Sequence, residues 1–365
     1  MANAALRGGI LKWVLGLALC ALLCSWGSTG HYQISYRTKF FFPTVMSGYT
    51  HWADSLAKHA SDADARKAWD AAESPRHYID LENFPGFISN GSIIQDVDSA
   101  YATYGSNFLY YNGSLPYTTL RTFDSLVKAF EDNNLQKVIY FASDLGHYVA
   151  DGHMPLHLTR NYDGQYTDQD GVHYRIETRL VNTYISQINY TGEPVYVIPD
   201  VEDYVFDYIY NNYLYVDSLL DADSIAYEQT GSHSSNQFYS VLWAGTSHQM
   251  NYLFKNASLA LTELIYTAWI RAGSPSSIFL NASGDGCFPE IYPNPAFREL
   301  NIRFGKTPSD PCKIFLMDSE GRLAACVASQ NRETALDLVD VPPGTYYLMI
   351  EGTTLHYVKK IVIIQ

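Results

Sequence analysis

The chain is poor in cysteine, with five in 365 residues. Cys20 and Cys24 belong to an apolar N-terminal segment, which leaves Cys287, Cys312 and Cys326 for the rest of the protein. Three cysteines can form at most one internal disulfide, so a disulfide-stapled scaffold is excluded. Hydrophobic residues make up 47% of the sequence, and a chain of this length can bury a core large enough to stabilise it without such bridges.

Positive charge is also scarce. Lys and Arg number 24 against 38 Asp and Glu, and the formal net charge is −14. General binding to nucleic acid through counterion release needs clustered lysines and arginines, so the composition argues against a general polyanion-binding protein. It does not exclude a nuclease, because the phosphate contacts of a nuclease can come from bound metal ions.

Long hydrophobic runs are lacking after the N-terminus. The apolar run at residues 14–24 follows Arg7 and Lys12 and is shorter than the roughly 20 residues that span a bilayer. This pattern predicts a secretory signal peptide over residues 1–25. The alternative is a lipoprotein acylated at Cys24, although Leu23 stands before that cysteine where a small residue is usual.

Periodicity divides the rest of the sequence into two domains. Apolar residues recur at three- and four-residue spacings, which predicts a helical domain over residues 26–273. Residues 274–287 are rich in Gly, Ser and Pro and predict a linker. Short alternating runs between Gly and Pro turns then predict a small β-sandwich over residues 288–365. The predicted fold class is therefore mainly α, with a helical domain followed by a C-terminal β-sandwich.

Two helical features are specific enough to place. In "TTLRTFDSLVKAFEDNNLQKVIYFASDLGHYVADG" the pair Asn133-Asn134 interrupts the helical periodicity and predicts two antiparallel helices. Residues 248–273 predict a long and mostly buried helix that is closed by Gly273, with Pro275 just beyond it.

The stretch "HYVADGHMPLH" contains candidate metal ligands. His147 and Asp151 are four residues apart and leave one helical face. His157 follows just after a proline that ends the helix, and His173 and Glu177 repeat the four-residue spacing. One such pair is more often a helix cap or a surface salt bridge. Two pairs and a histidine at the break, all within about thirty residues, favour a zinc site with nitrogen and oxygen ligands.

Further candidates lie upstream. "SPRHYIDLENF" contains His77, and "KHASDADAR" contains Asp62 and Asp64. His31 follows Trp26 by five residues, where the signal peptide is predicted to end. His153 lies on a different helical face from His147 and is not predicted to be a ligand.

Together these residues resemble the zinc-dependent phospholipase C and zinc-dependent single-strand nuclease superfamily, over roughly residues 26–273. The resemblance implies an all-helical fold that holds three zinc ions. In that family the mature chain begins with Trp, whose free amine and carbonyl bind one ion. The implied ligands are Asp62, His77, His147 and Asp151 for one zinc, His157, His173 and Glu177 for a second, and Trp26, His31 and Asp151 for the third. Asp64 is the alternative to Asp62, because both fall near the family's interval to the histidine.

The resemblance also implies a reaction, in which metal-activated water attacks phosphorus in line. Asp62 would orient that water as well as bind metal. Arg66 is a candidate contact to a phosphate oxygen, or else an ordinary surface arginine. Tyr78 is a candidate substrate-binding residue at the position where the nucleases stack a base, with core packing as the alternative.

The substrate is left open between two classes. The intervals around His157, His173 and Glu177 are closer to the phospholipases, and the many tyrosines could hold a cationic headgroup. The interval from Trp26 to His31 matches the nucleases. A phospholipase C-like hydrolase is preferred, with a single-strand nuclease or 3′-nucleotidase as the alternative. A third hypothesis is a surface protein that binds zinc without turnover.

The C-terminal runs "IYPNPAFRELNIRF", "KIFLMDSEGRL", "PPGTYYLMI" and "VKKIVIIQ" resemble the sorting domain of the type IX secretion system. This implies export to the exterior or outer surface of a Gram-negative bacterium, with the secretion machinery as a partner. The alternative is an immunoglobulin-like accessory domain. No stable protein partner is predicted.

Overall fold

A computed structural model describes residues 27–43, 46, 52–190, 192–275, 289–305, 307–308, 310–318, 322–351 and 356–364. The predicted signal peptide, the predicted ligand Trp26 and nearly all of the predicted linker lie outside the described residues.

The first part of the helical domain consists of short helices. They are α1 (Gly27–Arg37), α2 (Ala53–His59), α3 (Asp62–Arg66), α4 (Phe87–Asn90), α5 (Val97–Tyr104) and α6 (Ser106–Asn112). Single 3₁₀ turns occur at Thr38–Phe40, Ser74–His77 and Leu81–Asn83.

The second part contains five helices of 13 residues or more and two short ones. They are α7 (Leu115–Glu131), α8 (Leu135–Gly152), α9 (Val172–Tyr174), α10 (Val181–Tyr184), α11 (Val201–Tyr213), α12 (Val216–Thr230) and α13 (Asn236–Arg271). The π-helical segment Arg175–Leu180 joins α9 to α10, and 3₁₀ turns occur at Pro155–His157 and Ile185–Gln187.

Helices α7 and α8 form the predicted antiparallel pair. Asn133 adopts φ 52° between them, which reverses the chain. The side chain of Asn134 accepts a hydrogen bond from Lys137 N at 3.1 Å and caps α8. The predicted long helix near the end of the domain is also confirmed as α13. It starts twelve residues earlier than the sequence suggested, at a cap where Ser235 Oγ accepts from Phe238 N.

The contact of α1 with α8 places one candidate ligand beside another. A Cβ on Gly146 would lie 2.9 Å from both Ser35 Oγ of α1 and a methyl carbon of Leu261 in α13, so glycine lets the three helices meet there without displacing either side chain. One residue further along α8, the His147 ring stacks on His31, with ring centroids 3.9 Å apart. Helix packing therefore brings His31 to the pair His147 and Asp151.

The C-terminal domain has seven strands within the described residues: β1 (Glu290–Tyr292), β2 (Glu299–Arg303), β3 (Cys312–Met317), β4 (Leu323–Ser329), β5 (Glu333–Asp337), β6 (Gly344–Glu351) and β7 (His356–Ile363). One antiparallel sheet has the order β1-β2-β5 and the other β4-β3-β6-β7. Leu300 and Ile302 of the first sheet share a buried core with Ile314 and Leu316 of the second. The predicted β-sandwich, and with it the predicted fold class, is confirmed.

Candidate metal centre

The candidate ligands come from separate segments whose backbones are tied together. His77 ends a 3₁₀ turn, and its carbonyl oxygen accepts a hydrogen bond from His157 Nδ1 at 2.7 Å. Two residues on, Ile79 N donates to the His157 carbonyl at 2.8 Å. These reciprocal bonds fix the His77 segment against the turn that follows α8. The same segment passes so close to Gly113, which has φ +86°, that a Cβ there would lie 2.1 Å from the Tyr78 carbonyl oxygen.

One group of ligands forms around α8. Asp151 Oδ2 lies 3.0 Å from His77 Nδ1 and 3.3 Å from His147 Nε2, and these two nitrogens are 2.9 Å apart. Asp64 Oδ1 approaches both nitrogens, at 3.6 and 3.7 Å. All of these side chains are buried except that of Asp64, which is 13% exposed. The spacing of four residues in α8 therefore places two of the predicted candidate ligands side by side.

A second group forms where α9 meets the π-helical segment. His173 Nε2 lies 2.6 Å from Glu177 Oε2, His157 Nε2 lies 3.3 Å from Glu177 Oε1, and the two ring nitrogens are 3.2 Å apart. Glu177 is fully buried. The sequence predicted all three of these residues as one ligand set, and the structure brings them together.

Asp151 joins the two groups. While Oδ2 faces His77 and His147, Oδ1 lies 3.4 Å from His157 Nδ1 and 3.6 Å from His31 Nε2. Burial alone would raise the pKa of Asp151, but the neighbouring His147 and His157 rings hold it well below its usual range. Burial lowers the pKa of His31 to about 3, so that imidazole is neutral and keeps a lone pair that can bind a metal ion.

The hydrogen bonds of the histidines show which nitrogen carries the proton. Nδ1 of His147, His157 and His173 lies 2.6, 2.7 and 3.0 Å from a backbone carbonyl oxygen. A carbonyl only accepts, so in the neutral ring Nδ1 carries the hydrogen and Nε2 has the lone pair that can bind a metal ion. Metal-bound histidines characteristically donate their other ring N–H in this way.

These lone pairs fit a metal ion. His157 Nε2, His173 Nε2 and both oxygens of Glu177 face one another, yet neither buried carboxylate oxygen receives a hydrogen bond of suitable geometry. Ligands about 2.1 Å from a tetrahedral zinc ion are about 3.4 Å from one another, close to most of the separations in both groups. Three sets could hold an ion: His31, Asp64 and His147; His77, His147 and Asp151; and His157, His173 and Glu177.

Of the two aspartates near the start of α3, the structure brings Asp64 to the cluster. Asp62 Oδ2 instead lies 2.7 Å from His59 Nδ1, and its side chain is 43% exposed. The preferred assignment of Asp62 as ligand and water-orienting residue therefore does not fit its position, and Asp64 is the candidate ligand in its place. The reason is helical geometry. Two residues correspond to a rotation of about 200° around the axis of α3, so the two side chains point to nearly opposite sides of the helix.

Arg66 was a candidate contact to a phosphate oxygen, but in the structure it pairs with two carboxylates. Its guanidinium makes a bidentate contact with Asp144, at 3.0 and 2.8 Å, and a salt bridge to Glu73 at 3.3 Å. It lines a cavity of about 520 Å³ to which none of the described candidate ligands contributes. The cation beside the ligands is Lys67, whose Nζ is 2.7 Å from Asp64 Oδ1.

The structure also shows the surroundings of Tyr78, a candidate substrate-binding residue, and of His153, which is not predicted to be a ligand. Tyr78 is half-buried beside His77, and burial raises the pKa of its phenol to about 12. His153 is buried, donates from Nδ1 to the Val149 carbonyl at 2.8 Å and stacks on Tyr208, outside the three ligand sets. The predicted exclusion of His153 from the ligands agrees with this placement.

The carboxyl group of Asp80, three residues after His77, has a raised pKa that can be tested. Burial, with a smaller contribution from Glu82, raises the pKa of Asp80 to about 7. The native state then holds a proton that the unfolded chain has already lost, so stability falls as pH rises from about 4 to about 7. We expect Asp80→Asn to gain stability over the wild type at pH 8 relative to pH 5, measured by urea unfolding in EDTA. An equal difference at both pH values would contradict the raised pKa.

Two charged residues beside the candidate ligands, Glu73 and Lys67, were not predicted from the sequence. Glu73 Oε1 lies 3.3 Å from His77 Nε2, and Glu73 is fully buried. The signal was present, because Glu73 and His77 have the same four-residue spacing as the two predicted pairs.

Comparison with known proteins identifies the second domain. Residues 290–364 match the secretion system C-terminal sorting domain. The sorting domain predicted over residues 288–365 is thereby confirmed, and it supports a secreted or cell-surface location. No curated protein matches the chain. The described helices include none that is long and apolar enough to cross a membrane.

Two solved structures are similar to the whole chain at low identity. An alpha toxin from Clostridium absonum is 12% identical with a TM-score of 0.42, covering 91% of this chain and 91% of that chain. An alpha-toxin of Clostridium perfringens from an avian strain is 11% identical with a TM-score of 0.40, covering 93% of this chain and 99% of that chain.

Proposed function

We propose that the helical domain is a zinc-dependent phosphodiester hydrolase of the phospholipase C type. The observation that carries the proposal is Asp151, whose two oxygens face two neighbouring groups of buried histidines. Clustered ions held by nitrogen and oxygen ligands suit in-line displacement at phosphorus, because they stabilise both the attacking and the leaving oxygen.

The proposed assignment of ligands to three ions combines the candidate sets in the structure with the family resemblance of the sequence. Asp64, His77, His147 and Asp151 would hold one ion, and His157, His173 and Glu177 a second. His31 and Asp151 would share a third with Trp26. Zinc, when bound, activates water near neutral pH and neutralises charge on a phosphoryl group.

The protein's own residues would orient the reaction. Backbone carbonyls that accept from Nδ1 hold three imidazoles in position. Lys67, held by Asp64 and 24% exposed, would contact a phosphate oxygen in place of Arg66.

A phospholipid is the preferred substrate. The net charge of −14 disfavours a polyanion, and the spacing of His157, His173 and Glu177 resembles the phospholipases. Half-buried Tyr78 beside His77 favours the nuclease alternative, since an aromatic ring there could stack on a base. Export by the type IX secretion system, after removal of residues 1–25, completes the proposal.

The test offers both substrates to the zinc-loaded protein. We expect diacylglycerol from phosphatidylcholine vesicles, no acid-soluble nucleotide from single-stranded DNA, and loss of activity in EDTA. Glu177→Gln, which removes a ligand charge, should abolish the reaction. Its matched control is Glu228→Gln on the exposed face of α12, which should leave the rate unchanged.

Nucleotide release without diacylglycerol would instead establish the nuclease alternative. If zinc binds and neither product forms, the protein binds zinc without turnover and the hydrolase proposal fails.

A further inference from the structure

Glu73 contacts His77 at the ring nitrogen that faces away from the other ligands. His77 Nδ1 points into the cluster, 3.0 Å from Asp151 Oδ2 and 2.9 Å from His147 Nε2. His77 Nε2 lies on the other side of the ring, 3.3 Å from Glu73 Oε1. The imidazole therefore lies between the metal ligands and a carboxylate that binds no metal.

This arrangement sets His77 apart from the other histidines. His147, His157 and His173 direct Nε2 inward and donate from Nδ1 to neutral backbone carbonyls. His77 directs Nδ1 inward, and the group facing its other nitrogen is a carboxylate. A carboxylate beside a ligating histidine fixes the tautomer and makes the ring a stronger donor than a carbonyl does.

Glu73 is held in its ionised form and in one position by its other neighbours. Tyr148 donates to Oε1 at 2.5 Å, Arg76 forms a salt bridge to Oε2 at 2.6 Å, and Arg66 forms one at 3.3 Å. These contacts explain how a fully buried carboxylate can remain charged, because buried charges require paired and hydrogen-bonded partners.

We propose that Glu73 is a positioning residue for the metal centre, which orients His77 through Nε2 and strengthens Nδ1 as a ligand. The inference rests on the proposed metal centre. Arg66 then acts by holding Glu73, and it has no direct contact with substrate. The buried His77 Nε2 has no hydrogen-bond partner of suitable geometry, and the acceptor proposed for it is Glu73 Oε1 at 3.3 Å.

The first test is Glu73→Gln, which keeps the size of the side chain and removes its charge. We expect zinc affinity of the His77, His147 and Asp151 group to fall about 10- to 100-fold. The His157, His173 and Glu177 group should keep its affinity. Competition with a chelator measures the affinities, and the visible spectrum of the cobalt(II)-substituted protein reports the changed ligand geometry.

The matched control is Glu263→Gln. Glu263 is also a buried glutamate that accepts from a tyrosine, Tyr204, at 2.7 Å, but it lies outside the three candidate ligand sets. The control should keep both affinities within about twofold. An unchanged affinity in Glu73→Gln, or an equal loss in Glu263→Gln, would overturn the positioning role.

A second measurement uses the wild-type protein and is independent of how the variants fold. In zinc-loaded protein labelled with ¹⁵N-histidine, His77 should carry its proton on Nε2, and His147, His157 and His173 on Nδ1. A proton on Nδ1 of His77 overturns the inference. If the wild type binds no zinc, the proposed metal centre fails as well. If the affinities shift as expected but neither phosphodiester is cleaved, Glu73 keeps its role and only the hydrolase proposal fails.

Discussion

Replacing Asp151 by asparagine is expected to lower both zinc affinity and hydrolysis by at least about 100-fold. Removing a group that only supports a ligand typically costs 10- to 100-fold, and Asp151 is proposed to be a ligand itself. It also faces four imidazoles, with His77 and His147 on one oxygen and His31 and His157 on the other. Its substitution should therefore weaken more than one ion at once.

The measurement is the number of zinc ions retained after dialysis, together with the initial rate on the preferred substrate. Asp221→Asn, on the exposed surface of α12, is the matched control and should retain the wild-type zinc content. Zinc content that stays at the wild-type level in Asp151→Asn would refute the shared-ligand arrangement.

Replacing Asp223 by alanine is expected to destabilise the helical domain by about 3–5 kcal/mol, because it leaves a buried guanidinium without its counterion. Arg175 contacts Asp223 through two bonds of 2.7 and 2.6 Å, and the two side chains are 7% and 0% exposed. Arg175 lies in the chain between His173 and Glu177. The loss should therefore also weaken the second metal group.

Urea unfolding of the full chain, followed by the circular dichroism of the helical domain, measures this free energy. Breaking the exposed pair Lys128–Asp132 by Asp132→Ala is the control and should leave the free energy of unfolding nearly unchanged. The double variant Arg175→Met with Asp223→Leu should be less destabilised than Asp223→Ala, since apolar side chains can replace a buried ion pair. A cost under about 1 kcal/mol for Asp223→Ala would show that the pair is dispensable.

The local features of this protein could be read from its sequence. Helical and strand periodicities separated the two domains, the Asn133-Asn134 pair marked the turn between α7 and α8, and the C-terminal runs indicated the sorting domain. The pairs His147 with Asp151 and His173 with Glu177 could also be found from the sequence alone. In each case the information lies within a few residues, because side chains four apart in a helix share a face.

Long-range features were decided only by the tertiary structure. Asp62 and Asp64 have nearly the same distance in sequence to His77, and the way α3 packs turns Asp64 inward and leaves Asp62 with His59. Arg66 is likewise turned towards Asp144, which lies 78 residues away. A helix alone fixes which residues share a face, but only its packing against other segments determines which face meets the site. The sequence by itself thus determined the types of candidate ligand and their local pairs, and the packing of distant segments decided which of these side chains come together.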